Sequence, residues 1–327
     1  MSDEFALITH HSASITPETM LVLIQPHSTL SLPGPPTAHQ VFGALAGAVR
    51  ALCGEADLRQ LLELCDAGDP PMLLSAGFPW SGRGKRQMEF LPRPRLAWAP
   101  AGVDLVSRRL FGELAGGPPA EGTFAPTVVI REGAALSAED APGEAPVRFP
   151  RAVETARRGC AGRFVRTETA FAHGAGWYFL CHVRKPEWNG RLRGAIRWVC
   201  DTGWGADRSV GRGVGRAILQ NNPLPAAETA ETGARFATLS AFHPTAAERD
   251  FFGARLGESE YRLTTYEGRA NRGRPLLCVG EGSVLPRPPG AGVVGSCVPL
   301  PGGAEPGDAD SGFTPRFWGF AYPVAVR

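Results

Sequence analysis

Lysine is almost missing from this chain. Of its 34 cationic residues only Lys85 and Lys185 are lysine, and the rest are arginine. Recognition of an anion would therefore rest on planar guanidinium forks rather than on ammonium groups. No apolar run approaches the roughly 18 residues of a membrane-spanning helix, which argues against a helical membrane protein and a membrane partner. The seven cysteines, at positions 53, 65, 160, 181, 200, 278 and 297, form no C-x-x-C pair and are odd in number. That pattern disfavours a disulfide framework and a zinc site, and buried thiols in a reducing compartment are the expectation. The start, Met1-Ser-Asp-Glu-Phe5, has no secretory layout, so the expected location is cytoplasmic. No Asp/Glu/His set has metal-ligand spacing; Glu139-Asp140 and Asp308-x-Asp310 fall in polar loops, and neither metal nor cofactor is expected. A formal charge of +2 is small for a free-standing nucleic-acid binder, but local density decides recognition.

Glycine is abundant, with 41 residues in 327, and it concentrates where arginine does. The stretch Gly203-Trp-Gly-Ala-Asp-Arg-Ser-Val-Gly-Arg-Gly-Val-Gly-Arg216 follows a segment with helical apolar spacing. A Walker A loop needs a lysine that this stretch lacks. A Rossmann fingerprint needs a strand before it and G-x-G-x-x-G spacing, whereas the order here is Gly211-x-Gly213-x-Gly215. Glycine permits positive φ and close approach to the main chain, and arginine fits phosphate bidentately. The implied partner is a polyanion, RNA above all. The candidate contacts in the loop are Gly203, Gly205, Arg208, Ser209, Gly211, Arg212, Gly213, Gly215 and Arg216.

Two further candidate groups lie in the first half. Trp80–Ala97 alternates basic and apolar residues and reads as an extended hairpin or arm. There Trp80 is a candidate base-stacking residue and Arg83, Lys85 and Arg86 are candidate phosphate ligands. His39 and Gln40 open the first helix, where a helix N-terminus favours a phosphate. Thr37 and Gln40 form a capping box, Val41, Leu45, Val49 and Leu52 follow at helical spacing, and Gly54 can end the helix. A second short helix is expected over 58–65, a single buried strand over 72–78, and a loop-rich connection over 116–150. Beyond it come a strand at 174–183, a helix at 188–200, strands at 234–242 and 261–266 around a helix at 246–256, and closing strands at 276–285 and 317–326. The pattern by itself supports an α+β class. Histidine would be the first catalytic candidate, at His39, His173, His182 or His10-His11, but no partner is identifiable beside any of them.

The loop and the strand before it resemble the RAMP superfamily of CRISPR proteins. The resemblance is nearest to the Csm-type subunit of type III-A effector complexes that holds the 5′ handle of the guide RNA (crRNA). It is carried by Trp177-Tyr-Phe-Leu180, the 203–216 loop, Leu73-Leu-Ser-Ala-Gly-Phe-Pro79 with Phe90-Leu-Pro-Arg-Pro94, Val279-Gly-Glu-Gly-Ser-Val284, and Phe317-Trp-Gly-Phe-Ala-Tyr322, in that family's order. It implies two tandem ferredoxin-like (RRM-like) RAMP domains, assigned to residues 1–165 and 166–327, with the Gly-rich loop in the C-terminal one. It also implies a non-catalytic subunit that grips the crRNA handle. The implied neighbours are a large polymerase-like CRISPR subunit and a repeating backbone RAMP subunit, and target RNA is met only indirectly. The equivalent type III-B subunit and a RAMP-type guide-processing endoribonuclease are the alternatives.

Overall fold

The computed structural model describes residues 18–82, 87–118, 128–131, 134–137, 140, 149–159, 162–221, 224, 234–253, 261–266, 275–290, 292–300 and 314–327. The first strand, β1 (Glu18–Pro26), leads into α1 (Ala38–Cys53). The capping box forms: the Thr37 amide donates to Gln40 Oε1 at 2.9 Å, and the Gln40 amide donates to Thr37 Oγ1 at 3.3 Å. Gly54, at φ 93°, ends α1 and starts α2 (Glu55–Asp66). Then come β2 (Met72–Leu74), β3 (Phe78–Ser81), β4 (Met88–Pro92), β5 (Leu105–Ser107), α3 (Arg108–Ala115), β6 (Val128–Arg131) and β7 (Ala134–Ser137). A hairpin of β8 (Arg151–Gly159) and β9 (Gly162–Ala170) precedes β10 (Ala175–Val183), α4 (Asn189–Thr202) and β11 (Gly215–Asn221). The remainder holds β12 (Arg235–Thr238), α5 (Ala246–Gly253), β13 (Leu263–Tyr266), β14 (Leu276–Val279), β15 (Val284–Pro286), β16 (Val298–Pro299), β17 (Arg316–Phe317) and β18 (Pro323–Val326).

Nine strands form the main sheet, in the order β11-β1-β10-β3-β4-β5-β7-β6, with β2 also on β10. The first four strands of that order, all antiparallel, together with α1 and α4, make a ferredoxin-like βαββαβ unit. All nine residues of β10 are buried. Residues 82–174 are thus a long insertion between its second and third strands. A second, smaller unit repeats the pattern in part: β12 lies between β15 and β18, and β14 pairs with β13. Its third strand is broken at Gly280–Ser283, and the described residues between β15 and β18 hold β16 and β17 where a second helix would stand. The units share one core. Trp318, Phe320 and Tyr322 cluster with β1, α1 and β10, and Phe42 stacks on Trp318 at 4.6 Å.

The ferredoxin-like α+β architecture matches the expectation, but the division of the chain does not. A boundary at 165/166 would cut β1 and α1 from β10, α4 and β11, which pair and pack with them. The Gly-rich loop, joining α4 to β11, therefore belongs to the N-terminal unit. Sequence order misleads here because an insertion separates the halves of one sheet. The strand expected over 72–78 is also two strands. At the break the Leu180 amide donates to Ser75 Oγ at 2.8 Å, and the Ala76 amide turns to the Leu239 carbonyl at 2.9 Å. Residues 116–150, expected as a connection, supply β6 and β7 to the sheet, and the β8–β9 hairpin was not anticipated.

A chain ending at residue 165 lacks the central strand of its own sheet. Expressed alone, residues 1–165 should show no cooperative thermal transition by circular dichroism, and mixing with 166–327 should restore one. A sharp transition in the isolated fragment would contradict the strand pairing.

Candidate nucleic-acid interface

The 203–216 loop is built from inside. Gly203, at φ 102°, ends α4, its amide donating to the Val199 carbonyl at 2.7 Å. Trp204 is buried, edge-on to Trp177 at 4.9 Å and to Phe179 at 5.8 Å, with its indole N–H directed at Cys200 Sγ at 3.3 Å. Trp177 and Phe179 are alternate residues of β10, so one face of that strand seats the loop. The Trp204 amide donates to the Gly213 carbonyl at 3.0 Å and closes the base. Above it, Arg208–Val210 form a 3₁₀ turn between two left-handed residues, Asp207 (φ 58°) and Gly211 (φ 77°). Asp207 accepts from Ser31 Oγ at 3.1 Å.

One polar cluster ties the loop to two distant segments. Glu168, at the end of β9, is fully buried. Thr29 Oγ1 donates to Glu168 Oε2 at 2.6 Å, Arg212 Nη1 donates to Thr29 Oγ1 at 2.6 Å, and Arg212 Nη2 lies 3.4 Å from Glu168 Oε2. A buried carboxylate needs such a partner. The Gly213 amide adds a bond to the Thr29 carbonyl, and the His27 amide one to the Val214 carbonyl, both at 2.9 Å. Arg212 is therefore a structural cation, not a free phosphate ligand as its sequence setting suggests.

The glycines divide in the same way. A Cβ at Gly203 would overlap the Arg212 carbonyl, one at Gly213 would overlap Trp204, and one at Gly215 would come within 2.7 Å of the Gln25 carbonyl. These three are glycine because the loop folds tightly on itself. Gly205, at φ 80°, sits over Leu32, while beside Gly211 there is open space. Amides 203, 204 and 210–213 already donate within the protein, which limits a backbone cradle. What the loop presents outward is Arg208, Ser209, Val210 and Gly211 at its turn and Arg216 on β11, all exposed. Among the described residues no ion pair engages Arg208 or Arg216. Val210 is 61% exposed, and His27 is exposed beside the loop's exit. Neither was singled out from sequence, and nothing local could have revealed Thr29 or Glu168, which meet the loop only in three dimensions.

The candidates outside the loop do not join it. Trp80 is buried and donates to the Ile24 carbonyl at 3.1 Å; it lies over Gly176, where any Cβ would strike its indole. It is a core residue, not an exposed stacking platform. His39 stacks on Phe317 at 5.0 Å, its Nδ1 accepts from the Trp318 amide at 3.2 Å, and its Nε2 lies 3.2 Å from the Tyr266 hydroxyl. Burial lowers its pKa to about 4, so the ring is neutral at pH 7 and ill suited to hold a phosphate. Gln40 is exposed and occupied in the capping box. Arg83, Lys85 and Arg86 lie outside the described residues. The six described cysteines are free; burial raises the thiol pKa of Cys200 to about 11 and those of Cys278 and Cys297 to about 12.

No family model matches the sequence, and no curated protein matches it. The fold, however, has close counterparts. The chain superposes on a chain of the Csm3–Csm4 subcomplex of the type III-A CRISPR-Cas interference complex with a TM-score of 0.67. The identity there is 13%, over 94% of this chain and 99% of that one. It superposes on a chain of the Csm1–Csm4 cassette in complex with pppApA with a TM-score of 0.59 at 18% identity, over 95% and 98%. For the same cassette with AMPPNP the TM-score is 0.57 at 19% identity, over 95% and 98%. At such identities the likeness is one of fold.

Two outcomes test the internal construction. Gly213→Ala should destabilise the protein by about 3 kcal/mol, from overlap added to left-handed strain, and Gly211→Ala by only about 1–2 kcal/mol. Denaturant melts measure both, and equal losses would contradict the packing. His39 titrates near its ordinary 6.5 when unfolded and near 4 when folded. Its contribution is thus complete above pH 6.5 and is lost as pH falls towards 4, on the order of 2–3 kcal/mol. His39→Gln should flatten the stability profile across that window; an unchanged slope would show that other groups govern it.

Proposed function

We propose that this chain is a Csm4-like RAMP subunit of a type III-A CRISPR effector complex and that it grips the repeat-derived 5′ handle of the crRNA without cutting it. The observation that carries the reading is the nearly end-to-end fold match to chains of two assemblies whose common component is Csm4. The loop supports it, because a turn held rigid from below presents Arg208 and Ser209 outward and Arg216 is exposed on β11 at the loop's exit. A turn whose backbone is already fixed can carry arginines to phosphates without the loop itself first having to be ordered. In this reading Arg208 and Arg216 take phosphates, Val210 lies against a base or sugar, and Arg212 keeps the turn in place.

A non-catalytic role accords with the burial of two of the candidate histidines, His39 and His182. His39 is locked neutral between Trp318 and Tyr266, and buried His182 shares a 2.8 Å hydrogen bond with Thr19 Oγ1. The neighbours in this reading are a polymerase-like Csm1 subunit on one side and a Csm3 backbone subunit on the other, with target RNA met only through the guide. A net charge of +2 fits a protein that shares its RNA with other subunits. Among the described residues no helix is long and apolar enough to cross a membrane.

The test is binding of single-stranded RNA carrying the handle, measured by fluorescence anisotropy across a salt titration. Affinity should fall steeply with salt, by a log–log slope of about 0.7 per neutralised phosphate. Arg208→Ala with Arg216→Ala should lower affinity about tenfold or more and flatten that slope without changing the melting temperature. Arg212→Ala, by contrast, should lower the melting temperature. Salt-independent binding, or metal-free cleavage of the RNA, would contradict the proposal.

A further inference from the structure

A cavity of about 390 Å³ opens where the two units meet, and three arginines line it. Arg93 and Arg95 follow β4 in the first unit, and Arg262 precedes β13 in the second. Their backbones are fixed against each other. The Arg95 amide donates to the Gly282 carbonyl at 2.8 Å, the Arg93 amide to the Asp104 carbonyl at 2.8 Å, and the Gly280 amide to the Arg262 carbonyl at 2.7 Å. Gly282, at φ 79°, has no room for a side chain because it faces the Arg93 carbonyl. The site is therefore built by close contact between the units.

Its charges are unbalanced. Two carboxylates face the three guanidinium groups, those of Asp104 and Glu281. Glu281 is 3.7 Å from Arg262 and also accepts from the Ala241 amide at 3.2 Å. Burial first, then the neighbouring charges of Arg262 and Arg93, lower the pKa of Arg95, and Asp104 only opposes this. An anion in the groove would relieve that repulsion. The volume suits a nucleotide-sized group.

The groove also lies near the loop. Ser31 bridges to Gly205, and Pro35, four residues further, lines the groove. Four residues of chain reach at most about 14 Å, so a single strand crossing the loop needs few nucleotides to arrive. Resting on the RNA reading above, we propose that this groove is a second seat for the same RNA, in which Arg93, Arg95 and Arg262 hold a backbone phosphate at the junction of the two units. Two of the segments that carry the sequence resemblance meet here: Ala76–Phe78 with Pro92–Arg93, and Glu281, all line it.

The experiment uses the full chain and a fluorescein-labelled single-stranded RNA carrying the handle, titrated at several salt concentrations. The variant Arg93→Gln/Arg95→Gln/Arg262→Gln should bind about tenfold more weakly, with a log–log salt slope shallower by about 0.7 per lost phosphate. The loss should add to that of Arg208→Ala/Arg216→Ala. If the triple variant melts early, Arg95→Gln alone should show a smaller loss of the same kind, and Arg95→Lys should recover most of it. Unchanged affinity and slope in the groove variants, with the loop variant still impaired, would overturn the second seat and leave the RNA reading standing. Normal RNA binding with loss of a partner protein would assign the groove to an acidic polypeptide and overturn the proposal too. Absence of RNA binding by the unaltered chain would remove both.

Discussion

The pairing of β10 between β1 and β3 is the constraint on which the rest depends. Its nine buried residues close a sheet whose other central strand lies more than 150 positions earlier in the chain. That pairing brings α4 against α1, sends β11 to the sheet edge, and so fixes both ends of the Gly-rich loop. It also presents Trp177 and Phe179 on one face as the seat for Trp204. Without it the loop would be a glycine-rich linker with too much conformational freedom to position anything.

Rigidity below and exposure above are produced by different residues of the same loop. Gly203, Gly213, Gly215, Trp204 and Arg212 face inward, and the Arg212–Thr29–Glu168 cluster pins them to the β1–α1 connection and to the base of the β8–β9 hairpin. Arg208, Ser209, Val210 and Arg216 face outward. Preorganisation of this kind lets a few arginines hold a flexible polyanion, since the protein loses little freedom on binding. The same β1–α1 connection continues to the groove between the units, so one short segment links the outward turn of the loop to the arginine-lined groove.

Much of the fold was legible in local pattern. The capping box at Thr37 and Gln40, the stop at Gly54, the apolar strand around Trp177–Leu180 and the glycine at the end of α4 are each governed by neighbours in sequence. The domain division was not legible, because the 82–174 insertion separates strands that are adjacent in space. The breaks at Ser75–Gly77 and Gly280–Ser283 were hidden for a related reason: contacts between the units set them. At the site, sequence found the loop but could not sort its residues by direction. Arg208 and Arg212 look alike as letters, and only a carboxylate buried 44 positions earlier makes one structural. Trp80 and His39 were misplaced for the converse reason: their polar atoms are satisfied by core partners that no local pattern announces.

The central claim is that a loop already rigid in the free protein offers its turn to RNA. Amide hydrogen exchange with and without handle RNA tests it most directly. In the free chain, amides of β10 together with those of Trp204 and Gly213 should exchange slowly, since each is internally bonded. On adding RNA, new protection should appear over residues 205–212 and around Arg216, with β10 unchanged. Fast exchange at Trp204 and Gly213 in the free protein, or RNA-induced protection that bypasses residues 205–216, would contradict the account.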